Sequence, residues 1–355
     1  MSDTEISTEP GTIYFIRERN LITNEVSPFV KIGLTGLHRA ATDRRNDLQT
    51  GNPRELFVAH EVSVPCVRAV ETALRYKFLA QNVNLEWHVF SDQSEDQVKD
   101  ALDFCGKQKE RFAEQTSIFE EAKRLDNTAS SGNLIPPTEE ATYWRDQYLT
   151  HREILKLAKT VATAQQVKAK ERFQNGEPLS DGIQIVEKKI SEVDWCRFQE
   201  SYPEICQRYV KCEVSGIFRL QSKISDSRQD ADPRISEAKV EVEKFFELFG
   251  SEIDHGDPSF LLRQQRIKLQ QLTKFSSVEK EIARCHLKVI SGTAPGILNI
   301  CSWVRKLSKP KLDTALLTRE HEALLAPFTT YRKLVAATLQ PTAGKIAENS
   351  KSKTL

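Results

Sequence analysis

The sequence predicts an α+β domain at the N-terminus, a small three-stranded antiparallel sheet flanked by helices, followed by a mainly α-helical C-terminal region. Three features carry that prediction. Residues 12–17 and 28–33 are rich in β-branched and aromatic side chains and are separated by a polar, turn-forming stretch from 18 to 27, the signature of a hairpin with a long loop. Val67, Val70, Leu74 and Phe78 recur at helical spacing. Beyond residue 137 helical patterns follow one another, opened by N-cap residues and by prolines at the first helical position.

Taken in order, residues 1–10 are polar and without periodicity, a disordered lead-in. Two strands precede a helix over about 40–49, stopped at Gly51-Asn52-Pro53, and a third strand covers 55–64. A helix over 66–80 and a short closing strand at Glu86-Trp87-His88-Val89-Phe90 complete a domain spanning 11–95. Ser94 and Gln97 have capping-box spacing and open a connecting helix, 96–126. Residues 127–137, with Ser, Gly and the Pro136-Pro137 pair, form a linker. From 138 to 340 the expectation is helix: 138–173, 183–224 broken near Pro203, segments starting at Asp232-Pro233 and Asp257-Pro258, a capping box at Ser276, then 298–307 and 312–338. Phe245, Phe246, Leu248 and Phe249 read as helix-packing core or an oligomer interface, and 341–355 as a flexible tail.

The 355 residues, 39% hydrophobic and 28% charged, suit two or three globular domains. No apolar run approaches the roughly 18–20 residues that cross a bilayer, and the chain starts Met1-Ser2-Asp3-Thr4-Glu5, so a soluble, cytoplasmic protein without a membrane partner is expected. Seven cysteines, none in C-x-x-C spacing, argue against a disulfide framework or zinc site; Cys206 and Cys212 read as small buried apolar residues. Net charge is +1, yet residues 262–311 hold eleven Lys or Arg against Glu279 and Glu281, while residues 1–95 hold ten basic and thirteen acidic side chains. Arg263, Arg266, Lys268, Lys274 and Arg284 are therefore candidates for a nucleic-acid-binding stripe, with Phe275 and Trp303 for base stacking. The competing reading is a solvated helix face paired with acidic neighbours.

Residues 11–90 also hold an ordered set of motifs: Gly11-Thr12-Ile13-Tyr14, then Lys31-Ile32-Gly33 followed by Thr35, then Arg44-Arg45-Asn46-Asp47-Leu48-Gln49-Thr50-Gly51-Asn52-Pro53, then Val70-Glu71-Thr72-Ala73-Leu74, and Glu86-Trp87. This order resembles the GIY-YIG nuclease superfamily, in particular the phage-type branch whose second motif reads K-I-G. The resemblance covers about 80 residues. Leu34 stands where a basic or polar residue is common, and Arg75 where a histidine is expected.

The resemblance implies a catalytic set of Tyr14, Lys31, Arg44, Arg45 and Glu71. Tyr14 takes the proton of the attacking water, which asks that nearby cations pull its pKa well below about 10. Glu71 holds a single Mg²⁺ or Mn²⁺, a hard cation that keeps most of its waters. Arg44, with Arg45 as the alternative one register away, binds the scissile phosphate. Lys31 lowers the pKa of Tyr14 or touches phosphate. The implied activity is a DNA endonuclease targeted by the helical region, in bacterial or phage DNA processing or defence. RNA is left open as a substrate, and a protein partner or second copy of the chain as an occupant of the helical region. The alternative is a catalytically inactive scaffold that binds nucleic acid or protein.

Overall fold

The computed structural model describes residues 6–84, 86–90, 94–176, 183–221, 232–253 and 260–339. The tail from 341, the expected cap at Asp257 and the side chain of Arg263 lie outside the described residues. The chain divides into two compact units that interleave along the sequence, one of residues 1–125, 132–161 and 218–303, the other of 126–131, 162–217 and 304–355. The α+β segment and much of the helical region thus share a unit, although a linker at 127–137 separates them in the linear reading.

In the first unit, β1 (Gly11–Arg19), β2 (Val26–Gly36), β3 (Glu55–Val64), β4 (Asn82–Asn84) and β5 (Trp87–Val89) form an antiparallel sheet of order β3-β1-β2-β5-β4. The expected three-stranded sheet is corrected to five. The two added strands are three residues each, too short to display an alternating pattern, and β5 falls where the closing strand was expected. Helices α1 (Ala41–Gln49) and α2 (Val67–Lys77) flank β3 in sequence. Cys66 makes the turn into α2 with φ of 48°, a left-handed conformation that costs a β-carbon residue roughly 1–2 kcal/mol.

Strand alternation sorts the sheet's side chains. Ile13 and Phe15 of β1 and Val30 and Ile32 of β2 share one fully buried face. It packs on Val67, Val70 and Leu74 of α2 and on Ala101, Cys105 and Phe112 of α3 (Ser94–Asp126). Burying such side chains contributes about 1.5–3 kcal/mol each. Helix α4 (Glu139–Gln174) follows. Far along the chain, α7 (Pro233–Ile253) and α8 (Phe260–Ser291) return to this unit. Helix α8 buttresses α2: Tyr76 stacks on Phe275 at 4.2 Å, Ile282 and Cys285 join the sheet's core, and Arg111 of α3 forms a two-pronged ion pair with Glu279 at 2.7 and 2.8 Å. Phe245 is fully buried and stacks on Phe249, while Phe246 is exposed.

The second unit adds strands to the mainly helical region expected over 138–340. Residues 183–193, expected to be helix, form β6 (Ile183–Val193), and 329–339 form β14 (Thr329–Leu339); they pair antiparallel from Val193↔Thr329 to Ile183↔Leu339. Both segments are rich in β-branched residues, and their partners are too distant in sequence for a local periodicity to reveal. Between them lie the short helices α5 (Trp195–Ser201), α6 (Pro203–Arg208), α9 (Thr314–Glu320) and α10 (Glu322–Leu325), gathered around Phe198, Leu317, Leu325 and Phe328. Short ladders replace the helix expected at 298–307: β7 (Val210–Lys211) with β13 (Lys311–Leu312), and β8 (Val214–Gly216) with β12 (Arg305–Leu307). In the first unit β9 (Arg219–Leu220), β10 (Gly296–Ile297) and β11 (Cys301–Ser302) make a small sheet. Cys206 is buried as expected, but Cys212 is exposed. Among the described residues no helix is long and apolar enough to cross a membrane.

Three histidines sit in the first unit's interior. His88, His151 and His286 are 0%, 3% and 9% exposed, and burial pushes the pKa of each ring down to about 4.

Candidate active site

The site is built on the β1–β2 register. Tyr14 and Gly33 are cross-strand partners, as are Ile16 and Lys31, so all four side-chain positions share the sheet face opposite the main core. The phenol of Tyr14 lies directly over Gly33, where an added Cβ would fall within 2.8 Å of the ring carbon Cε2. That contact, and not backbone freedom, is what requires glycine in the Lys31-Ile32-Gly33 motif. Tyr14 is 1% exposed and packs with Ile16, Ala41 and Leu56.

Helix α1 brings Arg44 to the phenol, and its guanidinium donates to the Tyr14 oxygen. Gln49, the last residue of α1, fixes where that helix ends. Its Nε2 donates to the carbonyls of Asn52 (3.2 Å) and Arg54 (2.8 Å), and its Oε1 accepts from the Leu56 amide at 2.7 Å. Gly51 has φ of 81° and Asn52 Oδ1 accepts from the Arg54 amide at 3.0 Å, a short turn that hands the chain to β3. The Gln49-Thr50-Gly51-Asn52-Pro53 motif is therefore a turn that anchors α1, and so places Arg44. Arg45 makes no ion pair among the described residues, so Arg44 is the arginine of this pair that reaches Tyr14.

Glu71 projects from α2 toward the same place. The second carboxylate there is Glu86, whose backbone carbonyl accepts from the Ile32 amide at 2.9 Å at the approach to β5. One nitrogen of Arg75, Nη2, lies 2.8 Å from Glu71 Oε1 and 2.8 Å from Glu86 Oε1. The other Glu86 oxygen pairs with Lys31, whose ammonium also lies 5.8 Å from the Trp87 ring centroid. Lys31 is thus committed to Glu86. Glu86 was not counted among the site residues from sequence. Its signal was the Glu86-Trp87 pair itself, which the cross-strand match of Lys31 with Trp87 explains.

The electrostatics differ from the sequence expectation at Tyr14. Its pKa is raised, not lowered: burial dominates, the Arg44 hydrogen bond opposes it, and the Glu86 and Glu71 carboxylates add to the rise. Glu71 is also raised, by burial first and by Glu86, against the pull of Arg75, Lys274 and Arg68. Burial acts to raise Glu86 too, but Lys31 and Arg75 outweigh it and hold this carboxyl below its usual range. Two carboxylates of opposite shift therefore stand beside one guanidinium.

The expected nucleic-acid stripe on α8 does not form one exposed face. Arg266 is buried, Arg284 pairs with Glu281 at 2.7 Å, and Lys268 lines a cavity of about 590 Å³ with Glu241, Tyr76 and Phe275. Lys274 is the exposed member that acts on Glu71. The two aromatics expected to stack on bases are taken: Trp303 is 1% exposed and Phe275 stacks on Tyr76.

Two outcomes follow from this packing. Gly33→Ala should destabilise the protein by about 1–3 kcal/mol through overpacking, and in a double-mutant cycle Tyr14→Ala should remove most of that cost. Strictly additive losses in denaturant unfolding would show that the two residues do not touch. The second concerns pH. His88, whose Nδ1 meets the Glu86 carbonyl at 3.2 Å, is held at about 4 by burial, as are His151 and His286. Unfolded, these rings take up a proton near about 6.5, so their contribution is complete above that pH and is lost as pH falls toward 4. Each should cost about 2 kcal/mol between pH 7 and pH 5. His286→Gln should flatten the fall of Tm over that interval, and an unchanged slope would refute the assignment.

Compared with models of protein families, with curated proteins and with solved structures, the chain matches none of them, so the reading of this site rests on its own geometry.

Proposed function

We propose that this site belongs to a GIY-YIG-type endonuclease that hydrolyses phosphodiester bonds in DNA with the help of one divalent cation. The observation that supports it is convergence: a phenol from β1, a guanidinium from α1, an ammonium from β2 and a carboxylate from α2 come together, joined by Glu86 at the edge of β5. Ordinary surface side chains drawn from separate elements rarely meet around a buried tyrosine.

The donors suit a hard cation. Glu71 offers a carboxylate, with the Glu86 carboxylate beside it, and Mg²⁺ or Mn²⁺ asks for one or two carboxylates and keeps its waters. The groups this site would offer an ion are the Glu71 and Glu86 carboxylates, with solvent filling the remaining positions. An ion held by Glu71 and Glu86 would supply charge stabilisation to the phosphate. Tyr14 accepts the proton of the attacking water. Arg44, whose side chain is 38% exposed, is placed to hold the scissile phosphate while steadying the phenolate. Lys31 fixes Glu86. Lys274 and Arg68, both acting on Glu71, give the rim a positive charge for a nucleic-acid backbone.

A second reading, an inactive scaffold that binds nucleic acid or protein, is favoured by two observations: Arg75 already neutralises Glu71, and Tyr14 is held in its protonated form. Nicking of supercoiled plasmid DNA separates the two. The nuclease reading expects Mg²⁺- or Mn²⁺-dependent nicking that drops by about 100-fold or more in Glu71→Gln and Tyr14→Phe. It also expects a rate that is still rising with pH at the alkaline end of the stable range, because the phenol titrates high. Nicking that persists equally in both variants defeats the assignment; DNA binding with no nicking under any condition supports the scaffold.

A further inference from the structure

We propose that Arg75 holds the cation position of this site closed, its guanidinium filling the gap between Glu71 and Glu86 so that a divalent ion enters only as that guanidinium leaves. This rests on the nuclease reading and concerns the regulation of the same site.

The geometry is that of a surrogate ion. A single nitrogen, Nη2, is 2.8 Å from one oxygen of each carboxylate, so the gap between them is filled by the guanidinium. The side chain is 11% exposed and sits one helical turn from Glu71 on α2, so it cannot drift far without breaking that i,i+4 contact. Yet the plug is incomplete. Arg75 Nε is buried with no hydrogen-bond partner among the described residues, an arrangement that costs free energy in the closed state and favours release.

Charge supplies the second argument. Lys31, Arg44 and Arg75 face Glu71 and Glu86, with Lys274 and Arg68 acting on Glu71 from outside. The cluster is already positive. A divalent ion added to it meets repulsion from those cations, and most from the guanidinium that touches both carboxylates, so withdrawal of that group lowers the repulsion most. Arg75 is the one in the way, and the residue whose departure frees both carboxylate oxygens.

The test is Mn²⁺ binding to the full chain without nucleic acid, read from the electron paramagnetic resonance signal of free Mn²⁺. Arg75→Gln should bind Mn²⁺ roughly tenfold more tightly than the unaltered protein, and should show a larger Mn²⁺-induced rise in Tm. Arg75→Lys, which keeps a cation at the site, should stay close to the unaltered protein and controls for loss of folding in the first variant. Glu71→Gln on the Arg75→Gln background should abolish the gain. Glu71-dependent binding of equal strength with and without Arg75 overturns this inference and leaves the nuclease reading standing. Absence of Glu71-dependent binding in every variant overturns the cation site itself and both proposals with it.

Discussion

The whole site depends on the register of two strands. Because successive side chains in a strand point to opposite faces, the pairing of Tyr14 with Gly33 sends Ile13 and Phe15 into the core while Tyr14 and Ile16 face α1. A slip by one residue would put the phenol among Val67, Val70 and Leu74 and take Ile13 and Phe15 out of the core they fill. Several kilocalories of burial thus enforce the position of the phenol. The glycine then lets the ring lie flat across the neighbouring strand, which no other residue at 33 permits without displacing it.

Around that anchor, charge is arranged by mutual need. Glu71, Arg75, Glu86 and Lys31 form a chain in which each member has a partner of opposite sign, and none is fully exposed. Removing one partner from such a cluster leaves an uncompensated, partly buried charge, which is costlier than the pair itself is stabilising. The buttress behind it is α8. Stacking of Phe275 on Tyr76, with Ile282 and Cys285 in the sheet's core, fixes the rotation of α2 about its axis and hence the direction in which Glu71 and Arg75 project.

The helical region therefore contributes structure to the N-terminal site as well as any recognition of its own. Seen from the sequence, the basic residues of α8 form a binding stripe, but packing gives them separate tasks. Arg284 answers Glu281, Arg266 is buried, Lys268 lines a cavity, and Lys274 acts on Glu71. Charge counted along a chain says nothing about which charges share a face until the helix has been docked.

What the sequence determined is local. The β-branched runs around Ile13 and Val30, the helical spacing of Val67, Val70 and Leu74, and the turn chemistry of Gly51, Asn52 and Pro53 are properties of neighbouring residues, and they yield the three long strands, α1 and α2 in order. Tyr14, Lys31, Arg44 and Glu71 were also legible, through ordered motifs. What only the tertiary structure decided is whatever joins distant segments: the pairing of β6 with β14, the return of α8 onto α2, the contact of Arg75 with both Glu71 and Glu86, and the upward shift of Tyr14. Strand pairing draws its hydrogen bonds from a partner elsewhere in the chain, and a pKa is set by desolvation and by charges that folding brings near. Neither quantity belongs to a window of sequence, so neither can be read from one.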